Sequence, residues 1–328
     1  MEHLPDGLAE QRLLDALGDF GIGPATATYA PVGFGDYHWK ITGADGQRWF
    51  ATVADLEHKE HCGGDAATAL DGLRRAMNTA ANLRERGLRF VVAPLRATSG
   101  DPVVPLDDRY ALSVFPYATG ETGNFDQELT AAQRVQVLDL LAELHSSTPP
   151  ETTPVTALPP LGRSGLESTM DELRGTWEGG PFAEPARELL AENADLIRTR
   201  LHDFDRLADA VQQRGAQHVV THGEPHPGNL LRGSGGYSLV DWDTVGLAIP
   251  ERDLSVLSDD PATFTRYTAT TGHTPDAAAL DLYRLRWSLV DVAEFVAWFR
   301  GPHSRNPDTE KAWQGFTETL NDLTRTAR

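Results

Sequence analysis

The 328-residue chain has a single cysteine, only three lysines and no run of eighteen or more apolar residues. One cysteine, Cys62, excludes an intramolecular disulfide framework and any multi-cysteine metal site. Without a long apolar run there is no membrane-spanning helix to predict, and no membrane partner. The opening MEHLPDGLAEQ has neither a basic segment nor an apolar one. No secretory signal is therefore expected, and a cytoplasmic location follows as the default. Positive charge is scarce as well: 29 Lys and Arg stand against 48 Asp and Glu, a formal charge of −19. Nucleic acid needs a basic face, so DNA and RNA are not expected partners, and a cationic small molecule fits the balance better. No G-x-S-x-G elbow occurs, which counts against an α/β-hydrolase.

What the chain does have is unevenly distributed. Residues 1–115 carry a net charge of −5 and residues 116–328 carry −14, with 14 acidic and 4 basic side chains between 121 and 195. Apolar residues make up 40% of the chain, enough for ordinary cores. At about 100–200 residues per domain, the length suggests two domains or one two-lobed unit.

Along the first part, Leu8–Phe20 repeats apolar residues at helical spacing and stops at Gly21. Short extended segments follow at Ala27–Val32, Tyr37–Thr42 and Arg48–Val53, separated by glycine-bearing turns. A helix is predicted from Asp65 to Arg86, then strands at Phe90–Ala93 and Tyr110–Phe115. This order predicts a small α+β lobe over residues 1–115. The pattern changes near Phe115-Pro116-Tyr117, and residues 116–328 read as mostly helical. Leu129–His145 is amphipathic with Thr130 as its N-cap, and Ala277–Arg300 dominates the last third. A hairpin interrupts the helices, with Asn229–Arg232 and Tyr237–Val240 joined through Gly233-Ser-Gly-Gly236.

The chemistry concentrates in Thr221-His-Gly-Glu-Pro-His-Pro-Gly-Asn229 and Ser238-Leu-Val-Asp-Trp-Asp243. Glu224 and Asn229 lie on a loop stiffened by Pro225 and Pro227, and the hairpin returns Asp241 to the same region. Oxygen ligands from Asn and Asp suit Mg²⁺, which completes its shell with phosphate and water. A remaining carboxylate can orient or receive a hydroxyl proton, and together these parts suit phosphoryl transfer. His222, Glu224 and His226 invite a zinc-hydrolase reading. That arrangement requires a helix, which Gly223, Pro225 and Pro227 disfavour. His58, His61 and Cys62 read as solvent-exposed loop residues.

The two stretches resemble the aminoglycoside phosphotransferase family, small-molecule kinases that include spectinomycin phosphotransferases and other antibiotic phosphotransferases. Their catalytic loop reads H-G-D-x-x-x-x-N and their metal strand ends in D-x-D. The resemblance implies an α+β, two-lobed protein-kinase-like fold, with a small antiparallel-sheet N-lobe and a mostly helical C-lobe. The C-lobe would hold the catalytic loop at 221–229 and the metal strand at 238–243. By position, Glu224, Asn229 and Asp241 become the catalytic set. Asn229 and Asp241 would hold Mg²⁺, with Asp243 a further metal candidate. His222 and Asp253, the latter in Pro250-Glu-Arg-Asp-Leu254, become structural braces. Nucleotide binding falls to the turn Gly33-Phe-Gly-Asp-Tyr-His38, through Gly33, Gly35 and His38, and to Thr52 and the hinge residues Phe115 and Tyr117. Asp291 and Glu294, neighbours on a helix beside Trp287, are substrate candidates for an ammonium group.

Two departures from the family pattern stand out. Glu224 replaces the usual aspartate. Thr52 stands where the third strand should end in a phosphate-contacting lysine, and Asp65–Arg86 has no mid-helix glutamate to pair with one. Lys40, on the strand face of His38, is the expected replacement. The implied function is O-phosphoryl transfer from ATP or GTP to a hydroxyl of a small amino-bearing molecule, such as an aminoglycoside or aminocyclitol antibiotic. The departures leave one alternative, a catalytically silent kinase-like protein that binds nucleotide or a partner.

Overall fold

The computed structural model describes residues 1–125, 127–215, 217–257 and 261–325. A short helix, α1 (Glu10–Ala16), precedes three strands, β1 (Ala25–Ala30), β2 (Tyr37–Gly43) and β3 (Arg48–Asp55). Helix α2 (Ala66–Glu85) follows, then β4 (Val104–Pro105), β5 (Tyr110–Pro116), β6 (Glu121–Thr122) and α3 (Ala131–His145). Two further helices, α4 (Arg163–Asp171) and α5 (Ala183–Arg214), lead to β7 (Val219–Thr221), β8 (Leu230–Gly233), β9 (Gly236–Leu239) and β10 (Gly246–Ala248). The chain closes with α6 (Glu251–Leu254), α7 (Thr265–Thr271), α8 (Ala277–Arg300) and α9 (Pro307–Arg325). This is the expected α+β architecture: an antiparallel-sheet N-terminal lobe and a mostly helical remainder. No helix among the described residues is long and apolar enough to cross a membrane.

The described chain forms two compact units, Met1–Thr156 with Gln217–Pro275, and Ala157–Ala216 with Asp276–Arg328. In the first, the main sheet has the order β1-β2-β3-β5-β4, all pairs antiparallel. Alternation along β3 sends Trp49, Ala51 and Val53 to one face, where they pack with Trp39, Ile41, Leu112, Val114 and the α1 residue Leu13. The other face presents Ala54, Ala111 and Phe115 to Leu73 and Met77 of α2. Asp65 and Thr68 cap α2 reciprocally, and Thr130 and Gln133 do the same for α3.

Phe90–Ala93 does not form the predicted sheet strand. Its backbone turns to the hairpin instead, with Leu239 N–H donating to Phe90 O (2.8 Å) and Val92 N–H to Leu239 O (3.0 Å). Pro94 ends this segment, and the edge of the main sheet is the two-residue β4. The detour has a structural consequence: it fixes the hairpin that delivers Asp241. In the second unit, α5 and α8 each bury a long apolar face, and Phe182, Phe299, Trp313 and Phe316 cluster with ring centroids about 6 Å apart.

Candidate active site

All of the loop and hairpin residues fall in the first unit. The loop from 221 to 229 is held by a buried aspartate. Asp253, on α6 and fully buried, accepts the backbone N–H groups of His222 (2.8 Å) and Gly223 (2.7 Å). It also accepts His145 Nε2–H (3.0 Å), whose Nδ1 is bonded by the Tyr267 hydroxyl (2.7 Å). Burial alone would raise the Asp253 pKa. The His145 bond, and then the His145 and Arg252 charges, hold it below the usual carboxylate range. Arg252 donates to Thr221 Oγ1 (2.8 Å) and to Thr244 O (2.9 Å). Gly223 is needed there. Its φ of 103° is left-handed, and a Cβ would lie 2.4 Å from Arg252 Nη2.

His222 has the bracing position that the resemblance implies. Its Nε2–H donates to Val240 O (2.9 Å) and its Nδ1 accepts Glu224 N–H (3.2 Å), which specifies the neutral tautomer. Burial lowers its pKa in the same sense. The Asn229 side chain donates to Glu224 O (3.1 Å), while Val240 N–H donates to Asn229 O (3.1 Å). Glu224, Asn229 and the strand before Asp241 are therefore tied together by bonds that leave the Glu224 carboxylate available. The loop is not helical beyond a single turn at Pro227–Asn229, so the zinc-hydrolase geometry is missing.

Asp241 has φ 62°, a left-handed conformation that costs a non-glycine residue about 1–3 kcal/mol. That strain turns the chain so that Asp241 and Asp243 both face the glycine turn. Carboxylate oxygens of Asp36, Asp241 and Asp243 lie within 4.8 Å of one another. Asp241 is itself exposed, yet desolvation by the surrounding groups, and then the Asp243 charge, push its pKa well above the ordinary value. Glu224 keeps 40% of its side chain exposed, yet desolvation by its surroundings, and then Asp243, raise its pKa too. A divalent ion fits this arrangement on an observation of the side chains themselves: Asp36 is 7% exposed and its Oδ1 makes no hydrogen bond. Hard oxygen donors around an unbonded carboxylate oxygen suit Mg²⁺ chemistry.

The cations at this cluster are not those that the sequence pointed to. Lys59, 6% exposed, bonds Asp36 Oδ2 (2.9 Å) and Asp243 Oδ2. His61 bonds the same Asp243 oxygen at 3.2 Å, and the Cys62 thiol reaches Asp243 O at 3.8 Å. His61 is solvent-exposed, as expected for a loop residue, while Cys62 is half-buried, and both nonetheless contact Asp243. A Cβ at Gly72 would lie 2.0 Å from Cys62 O, so the missing side chain lets this loop seat directly on α2 and face inward. Desolvation by the surrounding groups works against both cations, though His61 keeps 30% of its side chain exposed; Asp243 and, for Lys59, Asp36 raise the pKa of each well above its usual value. Asp243 stays well below the carboxylate range despite burial, because Lys59 and His61 touch it.

The remaining sequence candidates fall as follows. Gly33 and Gly35 both have left-handed φ angles, 73° and 101°, forming the turn that presents Asp36. His38 bonds Thr52 Oγ1 (3.1 Å) and stacks on Phe50 at 5.2 Å. Lys40 shares their strand face but is exposed, opposite Phe50 on β3 and Thr28 on β1. Phe115 is buried against the α2 face, and Tyr117 lies under the Arg48 guanidinium, 4.1 Å from it. Asp291, Glu294 and Trp287 lie on α8 in the second unit, with Glu294 exposed and the other two half-buried. Lys59 and Asp36 are the residues that sequence reasoning missed. The shortage of lysine was the signal, since only Lys40, Lys59 and Lys311 can supply an ammonium.

Similarity to known proteins extends over most of the chain. Residues 2–299 match the phosphotransferase enzyme family. Protein StrN of Streptomyces griseus is 31% identical over 250 residues, covering 73% of this chain and 74% of that protein. Spectinomycin phosphotransferase in complex with ADP and spectinomycin superposes with a TM-score of 0.71 at 17% identity, over 97% of this chain and 98% of the other. An amicoumacin kinase bound to AMP-PNP, Ca²⁺ and its antibiotic gives 0.60 at 13% identity, over 96% and 94% of the two chains. The chain belongs to the phosphotransferase enzyme family and is an enzyme of the small-molecule kinase type.

Proposed function

We propose that the protein transfers the γ-phosphoryl group of ATP or GTP to a hydroxyl of a small, amino-bearing molecule. The observation that carries this reading is the tie between the catalytic loop and the metal strand. Asn229 bonds the Glu224 backbone while Val240 bonds the Asn229 backbone, so the base and the metal ligands move as one body. Glu224 accepts the proton of the acceptor hydroxyl as its oxygen bonds to the γ-phosphorus. The bond to the β-phosphate oxygen breaks and the nucleoside diphosphate leaves. Its raised pKa makes Glu224 a stronger base than an ordinary surface carboxylate, and its exposed 40% leaves room for the hydroxyl.

Asn229, Asp241 and Asp243 would hold Mg²⁺, with Asp36 oriented toward the same space. When bound, the ion neutralises phosphate charge and orients the nucleotide. His222 and Asp253 keep the loop in place. The acidic surplus of residues 116–328, with Asp291, Glu294 and Trp287 on α8, favours a substrate that carries ammonium groups. Relatives named for spectinomycin and amicoumacin support an antibiotic of the aminocyclitol or aminoglycoside kind, and their ADP and AMP-PNP complexes favour an adenine nucleotide.

The test is nucleoside diphosphate release with Mg²⁺ and a panel of hydroxylated amines. Release that depends on the amine, and falls about 10²–10⁴-fold in Glu224→Gln, supports the reading. Tight nucleotide binding without turnover across the panel would favour the silent alternative.

A further inference from the structure

A nucleoside triphosphate brings several negative charges into a site already crowded with carboxylates. Some cation of the protein has to meet it. The third strand does not provide one: its position holds Thr52, bonded to a His38 that burial, then the N-terminal amine and the Lys59 charge, hold at a pKa of about 3. The pair is neutral.

Lys59 is placed unusually for a stabilising residue. Its ammonium joins the glycine turn, through Asp36, to the end of the metal strand, through Asp243. Buried ion pairs of this kind contribute little net stability against apolar replacements of similar volume. The geometry is fixed rather than adventitious. At Gly63 a Cβ would lie 2.3 Å from Ala69 N and at Gly72 one would lie 2.0 Å from Cys62 O, so the loop between β3 and α2 is locked onto the helix. Asp36 and Asp243 give Lys59 the carboxylate partners that a third-strand lysine would take from a glutamate of α2.

We infer that Lys59, from the loop between β3 and α2, contacts the phosphate groups of the bound nucleotide, with Asp36 and Asp243 holding its ammonium in position. This rests on the phosphotransferase reading above. It assigns the phosphate contact to a residue outside the strand pattern, and makes Asp36 a positioning residue.

The experiment is calorimetric titration of ATP and of adenosine into the wild type, Lys59→Met, the double variant Lys59→Met/Asp36→Asn, and Lys40→Ala, with GTP titrated into the wild type as well. Removing Lys59 alone leaves two buried carboxylates without their cation, so Lys59→Met is expected to lose stability. The double variant removes one negative charge with the positive one, and its melting temperature reports that it is folded. ATP affinity is expected to fall about 10–100-fold in both Lys59 variants, with adenosine affinity unchanged. Equal weakening of ATP and adenosine would indicate a purely structural role and overturn the inference. So would unchanged ATP affinity in the double variant, or a loss at Lys40→Ala as large as that at Lys59→Met. A wild type that binds neither ATP nor GTP would overturn the phosphotransferase reading itself, and the inference with it.

Discussion

Two polar clusters lie in the same unit and are built on opposite principles. Around Asp253 one carboxylate meets two backbone N–H groups and one imidazole, and its charge is stabilised. Around Asp243 three carboxylates crowd within 4.8 Å, and Lys59 and His61 only partly offset them. The first arrangement is complete without a ligand. The second contains a strained Asp241 and an unbonded Asp36 oxygen. A protein interior tolerates such a cluster at a cost in stability, and such costs concentrate where a ligand will later be held. The brace holds the loop; the open cluster is the part that we propose does the chemistry.

The sharpest way to break this contrast is to remove each cluster's central charge. Asp253→Ala should lower unfolding free energy by about 3–5 kcal/mol, measured by urea denaturation, because it strands two N–H groups and an imidazole. A loss under 1 kcal/mol would mean that the brace is not one. Gly223→Ala tests the same cluster more gently. Its left-handed φ and the contact with an Arg252 already bonded to Thr221 and Thr244 predict a loss of about 1–3 kcal/mol. The smallest effect has the opposite sign: Asp241→Asn should leave stability unchanged or raise it at neutral pH, while abolishing turnover. Asparagine also adopts left-handed φ readily, so the turn survives the change.

The pH dependence of these variants separates the clusters again. The folded-state pKa of Asp253 is depressed. Its contribution is therefore present above the unfolded value of about 3.9 and is lost as pH falls through the folded one. The stability gap between wild type and Asp253→Asn should close in acid. The folded-state pKa of Asp241 is raised, so its ionisation destabilises the fold at neutral pH and the penalty fades as pH falls to about 4. Any gain in Asp241→Asn should therefore shrink in acid. Denaturation curves at several pH values check both.

Much of this was legible in the sequence, and the pattern of success has a physical cause. Thr130, Asp65 and the α8 boundaries depend on local capping and periodicity, and the structure places them where those signals do. The loop from 221 to 229 carries its stiffness and ligands in adjacent residues. His61, Cys62 and Lys59 depend instead on a tertiary event, the close seating of their loop on α2 at Gly72. A polar segment between a strand and a helix gives no local sign that it turns inward. Phe90–Ala93 failed for a related reason, since its apolar pattern specifies an extended chain but not which partner its backbone will bond. Strand alternation puts Lys40 on the face of His38, and the register agrees, but alternation does not say which lysine a folded loop brings to the carboxylates.

Phosphoryl transfer through Glu224 is the central step of the proposed reaction. Incubation with γ-labelled ATP or GTP, Mg²⁺ and a panel of aminocyclitols, aminoglycosides and simple amino alcohols should place the label in an organic phosphate ester. Glu224→Gln, folded to the same melting temperature, should place about 10²–10⁴-fold less of it there. Label that stays on the nucleotide or appears only as inorganic phosphate, or equal transfer by Glu224→Gln, would contradict the central claim.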